Sequence, residues 1–404
     1  MATPTNKPAV RVIGPPRPAP APAQPAEPEP LAAGASGLHR AFEASLEFFL
    51  SPILPFMNDP TVTEIMVNGP DDIYIERAGL IEKTAARFAS EADVQAAANN
   101  IAQFVGLPLD RERPLLDGRL PDGSRVCIVL APIAVHGTQI NIRRFSRQSV
   151  KPEFLLSNDS ITPQALEFLL LAVKAYRNII VSGGAGSGKT TLVNVLTAAF
   201  GADERIVVIE DTRELQVQQP HVVQMEARRP DAYGRGAVSV RDLFITSLRM
   251  RPDRIVVGEV RRGEALDMIQ AMTSGHHGSL TTVHASTPID TCQRIETMAL
   301  MADVGLPLFA LRRQIASALD LIVQTTRLHS GRRLVTQISE VGLDEQSHNY
   351  ILTHLFSMSG AGADWRLRWS GQHPRFSNDI LLEEVASEID LTAEVFGRKA
   401  AGNA

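Results

Sequence analysis

The stretch Asn178-Ile-Ile-Val-Ser-Gly183-Gly-Ala-Gly-Ser-Gly188-Lys189-Thr190-Thr-Leu-Val-Asn-Val-Leu196 decides the fold. Its centre matches G-x-x-x-x-G-K-[ST] and lies between a short apolar strand and a helix-forming segment, which is the context of a phosphate-binding loop. A glycine-rich turn would show the four specified positions by chance in on the order of 1% of chains this long. The stretch therefore predicts a P-loop within an α/β fold.

Each residue type in this loop has a physical reason. Glycines let successive N–H groups face phosphate oxygens, and the amino terminus of the next helix adds a positive dipole end. Lys189 is expected to reach the β and γ phosphates of ATP, and Thr190 to offer its hydroxyl to Mg²⁺. The predicted nucleotide-binding residues are Gly183, Gly184, Ala185, Gly186, Ser187, Gly188, Lys189, Thr190 and Thr191.

Two further apolar strands end in carboxylates, as a P-loop site requires. Arg254-Ile-Val-Val-Gly-Glu259 predicts a Walker B strand, and Arg205-Ile-Val-Val-Ile-Glu210-Asp211 predicts a second strand with paired acids. We assign Glu259 as the water-orienting group or general base, which also holds Mg²⁺ partly through water, and Glu210 as a second catalytic acid. Either glutamate alone could be a solvated strand-end charge, and the role of Asp211 stays open.

The remaining sequence predicts two domains and two tails. Residues 1–36 are rich in proline and alanine, which predicts a disordered arm. Residues 37–150 contain a hairpin, a helix and alternating strands, which indicates a small α+β domain. A linker is predicted over 151–160. Strands then alternate with helices, so 161–374 is predicted as the P-loop domain with a parallel sheet, and 375–404 as an acidic, helix-prone tail.

Composition narrows the class of protein. The chain has 404 residues, a formal net charge of −5 and two cysteines, Cys127 and Cys292. A protein that mainly grips nucleic-acid phosphates normally carries a basic excess, so no direct nucleic-acid partner is expected. Two cysteines suit a reducing cytoplasm and give no disulfide framework. No segment approaches the roughly 18 apolar residues that span a bilayer, so any membrane association would be through recruitment.

Four motifs in order carry a family resemblance: the P-loop, Glu210-Asp-Thr-Arg-Glu-Leu215 as an Asp box, Arg251-Pro-Asp-Arg-Ile-Val-Val-Gly-Glu-Val-Arg261 as Walker B, and Gly275-His-His-Gly-Ser-Leu-Thr-Thr-Val-His284-Ala as a His box. Over residues 40–355 the chain resembles the secretion ATPase superfamily of type II and type IV pilus motors and type IV secretion traffic ATPases. It looks most similar to the tight-adherence (Flp) pilus branch, the CpaF/TadA family.

The resemblance implies an amino-terminal domain hinged to a RecA-like ATPase domain, assembled as a homo-hexameric ring with ATP between the domains. Family arginines that reach the terminal phosphate match Arg125 and Arg143, which are expected to be catalytic together with Lys189, and the adjacent Arg144 is expected to bind nucleotide. A family histidine that links nucleotide state to neighbouring elements matches His284, which is also expected to bind nucleotide. Without the resemblance, an arginine at a strand edge would more often be a solvated charge. Arg262 and His277 depart from the family, where Gly and an acid are common.

The implied function is an ATPase that powers assembly of a type IVb (Flp/Tad) pilus or a related secretion machine, recruited to inner-membrane platform proteins from the cytoplasm. Alternatives are a conjugation or type IV secretion traffic ATPase and a nucleic-acid translocase. The translocase would use an arginine cluster formed by Arg249, Arg251, Arg254, Arg261 and Arg262. A nucleotide-binding regulator would be expected to lack a catalytic acid. A zinc site of His276, His277 and His284 matches no H-E-x-x-H pattern and has no nearby cysteine.

Overall fold

A computed structural model describes residues 44–77, 79–144, 150–230, 233–360 and 365–398. By its internal contacts the chain divides into a unit of residues 1–45 and a unit of residues 46–404. The predicted arm over 1–36 lies outside the described residues. The second unit contains two sheets: the smaller one packs on one hydrophobic core, and the larger one packs on two.

The amino-terminal domain is built on a six-stranded antiparallel sheet in the order β3-β2-β1-β6-β5-β4. Its strands and helices are β1 (Val62–Asn68), β2 (Ile73–Arg77), β3 (Leu80–Lys83), β4 (Leu115–Arg119), β5 (Arg125–Val129), β6 (Gln139–Arg143), α1 (Leu54–Asn58) and α2 (Glu91–Val105). Ile140 and Ile142 alternate with exposed residues along β6, so one face of the sheet is buried. Ser90 caps α2 and Gly106 ends it in the left-handed region, at φ 72°.

The P-loop domain is built on a nine-stranded sheet in the order β15-β14-β13-β12-β7-β11-β10-β8-β9. Its strands are β7 (Ile179–Gly183), β8 (Ile206–Glu210), β9 (Val222–Glu226), β10 (Arg254–Val257), β11 (Leu280–Val283), β12 (Leu321–Arg327), β13 (Arg333–Leu343), β14 (Tyr350–Ser359) and β15 (Arg366–Trp369). Six neighbouring strands run parallel, in the order β12-β7-β11-β10-β8-β9. At the β12 edge, β13, β14 and β15 add an antiparallel extension. This confirms the predicted mixed α/β fold with a smaller amino-terminal domain.

Helices cover both faces of this sheet, which is why the central strands are apolar throughout. The helices are α3 (Pro152–Ser157), α4 (Pro163–Lys174), α5 (Lys189–Thr197), α6 (Val240–Ser247), α7 (Glu264–Thr273), α8 (Pro288–Leu300), α9 (Leu308–Ala318) and α10 (Ile380–Glu383), with 3₁₀ turns at Arg375–Asn378 and Ala386–Glu388. Residues of α4 and α5 share one core, and residues of α7, α8 and α9 share the other. The carboxyl ends of the parallel strands meet at one edge, which positions the residues that follow them.

Two segments differ from their predicted roles. The predicted linker forms α3, whose Leu155 is buried in the core of the P-loop domain. The predicted tail also packs there: the ring centroids of Phe376 and Phe396 lie 5.9 and 5.6 Å from that of Phe168. The acidic composition of this segment predicted a solvated tail, but its carboxylates face solvent while its aromatic rings pack in the core. Residues 399–404 lie outside the described residues.

The backbone of this carboxyl-terminal segment is fixed as well as its side chains. The Glu167 carboxylate accepts hydrogen bonds from the backbone N–H groups of Asp390 at 2.9 Å and Thr392 at 3.0 Å.

Across the described residues, no helix combines the length and apolarity needed to cross a membrane.

Candidate nucleotide-binding site

The P-loop connects β7 to α5 through a turn that only glycine accommodates at several positions. Gly186 and Gly188 have φ of 65° and 97°, the region that side chains rarely adopt. A Cβ at Gly183 would lie 2.3 Å from Thr325 Oγ1. Ser187 Oγ donates to the Gly184 carbonyl at 2.9 Å, which ties the loop to itself. The sequence therefore builds a backbone cradle in front of the amino terminus of α5.

Lys189 lies at the base of this cradle and is 7% exposed. Its Nζ donates to the carbonyls of Gly183 at 3.0 Å and Gly184 at 2.8 Å, and it lies 3.5 Å from His284 Nδ1. Burial lowers the pKa of Lys189, and the Glu259 and Glu214 carboxylates oppose that shift. The ammonium is thus a fixed cation at the loop.

Glu259 follows β10 and is bonded on both sides. Its carboxylate accepts from Arg261 Nη2 at 2.6 Å and lies 3.1 Å from His284 Nε2. Burial lowers the pKa of His284, while the charge of Glu259 acts in the opposite direction. A neutral His284 that donates from Nε2 would fix the orientation of the Glu259 carboxylate. The structure therefore brings Lys189, His284 and Glu259 into one chain of contacts.

Glu210 ends β8 and is 3% exposed. Burial raises its pKa to about 7, although its Oε1 accepts from the backbone N–H groups of Glu214 at 2.8 Å and Leu215 at 2.9 Å. These bonds hold the carboxyl in one orientation beside Gly258, where a Cβ would approach Glu210 Cγ to 2.9 Å. Thr190 Oγ1 lies 3.4 Å from Glu214 Oε2.

The amino-terminal domain contributes arginines from the other side. Arg125 on β5 and Arg143 on β6 are cross-strand partners, so their side chains emerge together. Arg143 Nε donates to Glu64 at 2.7 Å, and Arg125 lies 3.6 Å from the Asp117 carboxylate. The guanidinium of the third predicted residue, Arg144, donates to the carbonyls of Asp59 and Val62. All three border one cleft with the P-loop.

Sequence reasoning missed a second pair of arginines and their shared partner. Arg327 at the end of β12 and Arg333 at the start of β13 border the cleft, and both contact the Glu76 carboxylate on β2. The signal was weak: Thr325-Thr-Arg327 and Gly331-Arg-Arg333 match none of the quoted family motifs. Their proximity to the P-loop follows from β12 pairing beside β7.

The cleft has a volume of about 520 Å³. It is lined by Thr63, Glu64, Glu76, Ile81, Arg125, Arg143, Arg144, residues 185–191, Glu210, Asp211, Thr212, Glu214, Gly258, Glu259, Arg261, Thr282, His284, Arg327 and Arg333. Cationic side chains from two domains suit a polyphosphate, and the Thr190 hydroxyl with nearby carboxylates is the oxygen-donor set that Mg²⁺ prefers. The residues present therefore fit a nucleotide with Mg²⁺.

The arginine cluster and the three histidines, which were alternative candidate sites, are not brought together at the cleft. Arg254 of the arginine cluster is 1% exposed and thus inaccessible to nucleic acid, whereas Arg249, Arg251, Arg261 and Arg262 are exposed. Within the described residues the cleft lining includes His284 but neither His276 nor His277. Arg254 therefore cannot join the other four arginines in contacting nucleic acid, and His276 and His277 do not border the cleft with His284.

Comparison with known proteins agrees with this geometry. A model of the family described as "Type II/IV secretion system protein" matches residues 49–354. The conjugal transfer protein TrbB of Rhizobium radiobacter is 33% identical over 281 residues, 69% of this chain and 83% of that protein. The type IV secretion system protein VirB11 of Brucella suis biovar 1 is 33% identical over 333 residues, 74% of this chain and 91% of that protein. The solved structure of the Legionella pneumophila ATPase DotB shares the fold, with a TM-score of 0.50 and 19% identity over 74% of this chain and 82% of that one.

Proposed function

The chain belongs to the type II/IV secretion system protein family, and on that premise we propose that it is an ATP-hydrolysing motor of a secretion or pilus-assembly machine. One observation carries the proposal: a buried lysine in a P-loop, two strand-end glutamates and arginines from a second domain border a single cleft. A regulator that only binds nucleotide would not need the two acids. In this proposal, closure of the two domains around the nucleotide couples ATP hydrolysis to protein transport.

In this proposal each residue has one task. Lys189 and the loop N–H groups bind the β and γ phosphates. Thr190 and, through water, Glu259 would hold Mg²⁺, which would supply positive charge to neutralise the transferring phosphoryl group. Glu259, oriented by His284 and Arg261, accepts the proton of the attacking water, and Glu210 assists from its fixed backbone bonds. Arg125 and Arg143 stabilise charge on the γ phosphate, with Arg144 adjacent.

The assembly and the machine are finer parts of the same proposal. The chain forms a homo-hexameric ring in the cytoplasm and is recruited to platform proteins of the inner membrane. The motif resemblance favours a type IVb (Flp/Tad) pilus, whereas the names of the TrbB and VirB11 relatives favour a conjugation or type IV secretion traffic ATPase as the second candidate. Prepilin and secretin genes beside the coding sequence would support the first, and relaxase genes the second.

The catalytic test uses two variants and one matched control. Lys189→Ala should abolish phosphate release, because it removes the fixed cation from the loop. Glu259→Gln should still bind ATP and hydrolyse it at least about a hundredfold more slowly, since it keeps the size of the side chain and loses the base. Lys174→Ala is the control, because Lys174 at the end of α4 pairs with Glu388 and neither residue lines the cleft. Normal turnover in Lys189→Ala would refute the site.

A second test separates protein transport from nucleic-acid translocation. Duplex and single-stranded DNA should leave ATP turnover of the wild-type protein unchanged, because Arg254 is buried and the formal net charge of −5 lacks the basic excess of proteins that grip nucleic-acid phosphates. Strong stimulation that weakens with salt would favour the translocase.

A further inference from the structure

Glu76 is a buried carboxylate that spans the boundary between the two domains. It belongs to β2 of the amino-terminal domain and is 8% exposed. One oxygen lies 3.1 Å from Arg327 Nη2, and the other lies 3.3 Å from Arg333 Nη2 and 3.1 Å from the Thr63 hydroxyl. One carboxylate therefore fixes two guanidinium groups that belong to the opposite domain.

Both arginines continue to the P-loop. Arg333 Nε donates to the Gly186 carbonyl at 2.9 Å, and a Cβ at Gly186 would lie 3.0 Å from Arg327 Nη1. Arg327 also donates to the Gly79 carbonyl, in the turn between β2 and β3. The backbones close up at the same place, because a Cβ at Gly79 would lie 2.8 Å from the Gly331 carbonyl oxygen. The contact is thus tight as well as charged.

The bond from Arg333 to Gly186 has a consequence for anion binding. In a planar trans peptide, the C=O of one residue and the N–H of the next point in opposite directions. A guanidinium that holds the Gly186 carbonyl outward therefore turns the N–H of Ser187 toward the other side of the loop. Backbone N–H groups of this kind are the donors of a phosphate cradle.

We propose that Glu76 is a positioning residue for nucleotide binding: it holds Arg333 and Arg327 against Gly186, which orients the P-loop donor at Ser187 from the neighbouring domain. The proposal rests on the function proposed above. It also gives a direct coupling, because any shift of β2 away from the P-loop would release the loop peptide.

A positioning role for Glu76 and simple charge repulsion predict opposite changes in nucleotide affinity when the charge of Glu76 is removed. Removing a negative charge beside a phosphate site should by Coulomb attraction strengthen the binding of an anion. Loss of positioning should weaken it, because the loop donor is no longer pre-oriented. Glu76→Gln keeps the shape of the side chain and loses the charge that binds both guanidiniums. The direction of the change in affinity therefore decides between the two.

The experiment is a titration of the full chain with fluorescent mant-ADP and Mg²⁺, alongside steady-state ATP turnover. We expect Glu76→Gln to raise the dissociation constant of mant-ADP by about ten- to a hundredfold, the scale of one lost charge-assisted hydrogen bond, with a larger change in KM than in kcat. Arg333→Gln should do the same, and the double variant should be no weaker than either single one. Glu82→Gln is the control, because Glu82 pairs with Arg77 at 3.0 Å within the amino-terminal domain.

Hydrogen exchange without nucleotide keeps the test independent of turnover. A peptide that covers residues 183–190 should exchange several-fold faster in Glu76→Gln than in the wild type, with no change in Glu82→Gln. If Glu76→Gln fails to fold, Arg333→Lys replaces it, because lysine keeps the charge without the fork that reaches both Glu76 and Gly186. Wild-type protein that binds mant-ADP without turnover would refute the ATPase function and leave this inference standing. Unchanged or tighter mant-ADP binding in Glu76→Gln, or unchanged exchange of the loop, would overturn it.

Discussion

Replacing Arg254 with methionine should destabilise the P-loop domain severely. Arg254 begins β10, and its guanidinium donates to Glu204 at 2.9 and 3.0 Å and to the Val173 carbonyl at 2.7 Å. It lies 3.8 Å from the ring centroid of Tyr176 and 4.8 Å from that of Phe200. All three guanidinium nitrogens therefore donate hydrogen bonds inside the domain, and two aromatic rings lie against the group.

The cost follows from what the substitution leaves behind. Methionine fills part of the volume but leaves the Glu204 carboxylate, itself 8% exposed, without its cation. Removing one partner of a buried ion pair costs about 3–5 kcal/mol, and the lost cation–π contacts add roughly 0.5–2 kcal/mol, offset in part by apolar contacts of methionine. We expect the free energy of unfolding to fall by about 3–5 kcal/mol.

Urea denaturation followed by circular dichroism measures this loss as a lower midpoint. Arg262→Met is the matched control, because Arg262 is exposed and its loss should change stability by no more than about 0.5 kcal/mol. Arg254→Met combined with Glu204→Met should recover part of the loss, since the stranded carboxylate is gone. A loss below about 1 kcal/mol in Arg254→Met, or a DNA-binding defect at unchanged stability, would show that this arginine is not a core residue.

Three other outcomes test separate parts of the molecule. Arg143→Ala should keep ADP affinity within a few-fold and reduce ATP turnover by about a hundredfold, because Arg143 stabilises the charge that develops on the γ phosphate during transfer. Equal turnover in Arg143→Ala and in the exposed control Arg111→Ala would contradict this. Without nucleotide, burial raises the pKa of Glu210 from the usual 4.5 to about 7 in the folded protein. The free energy of unfolding of the wild type should therefore fall relative to that of Glu210→Gln as pH rises between these two values. Parallel pH profiles of the two proteins would exclude the burial effect. Phe396→Ala should lower the free energy of unfolding by about 3–5 kcal/mol because its ring is buried against Phe168, which a thermal melt against the wild type will show.

The parts of the fold and site that follow from sequence are those with local signals. The P-loop is recognisable because the glycines, Lys189 and the flanking strand and helix are contiguous. Glu210 and Glu259 could be placed together because carboxyl ends of neighbouring parallel strands meet at one edge. Arg125 and Arg143 could be named only through the family resemblance, since nothing local separates them from surface arginines.

The parts that sequence did not reveal depend on pairing over long distances. Glu76 meets Arg333 because two domains close around the P-loop, and no periodicity encodes that contact. The segment from Phe376 to Phe396 carries enough carboxylates to indicate a solvated tail, although its aromatic rings complete the core around Phe168. Charge composition averages over a segment, whereas burial is decided residue by residue.

The position of β7 within its sheet also constrains how the protein is made. The strand that leads into the P-loop pairs with β11 on one side and β12 on the other, through Leu280 and Leu321, both far downstream of Ile179. During synthesis β7 therefore emerges long before either neighbour exists, and its buried apolar residues have no partner strand. We therefore expect the nucleotide-binding loop to form only after β12 has been translated. Ribosome-bound nascent chains that end before β12 would expose β7. We expect these chains to bind chaperones and not to bind ATP analogues.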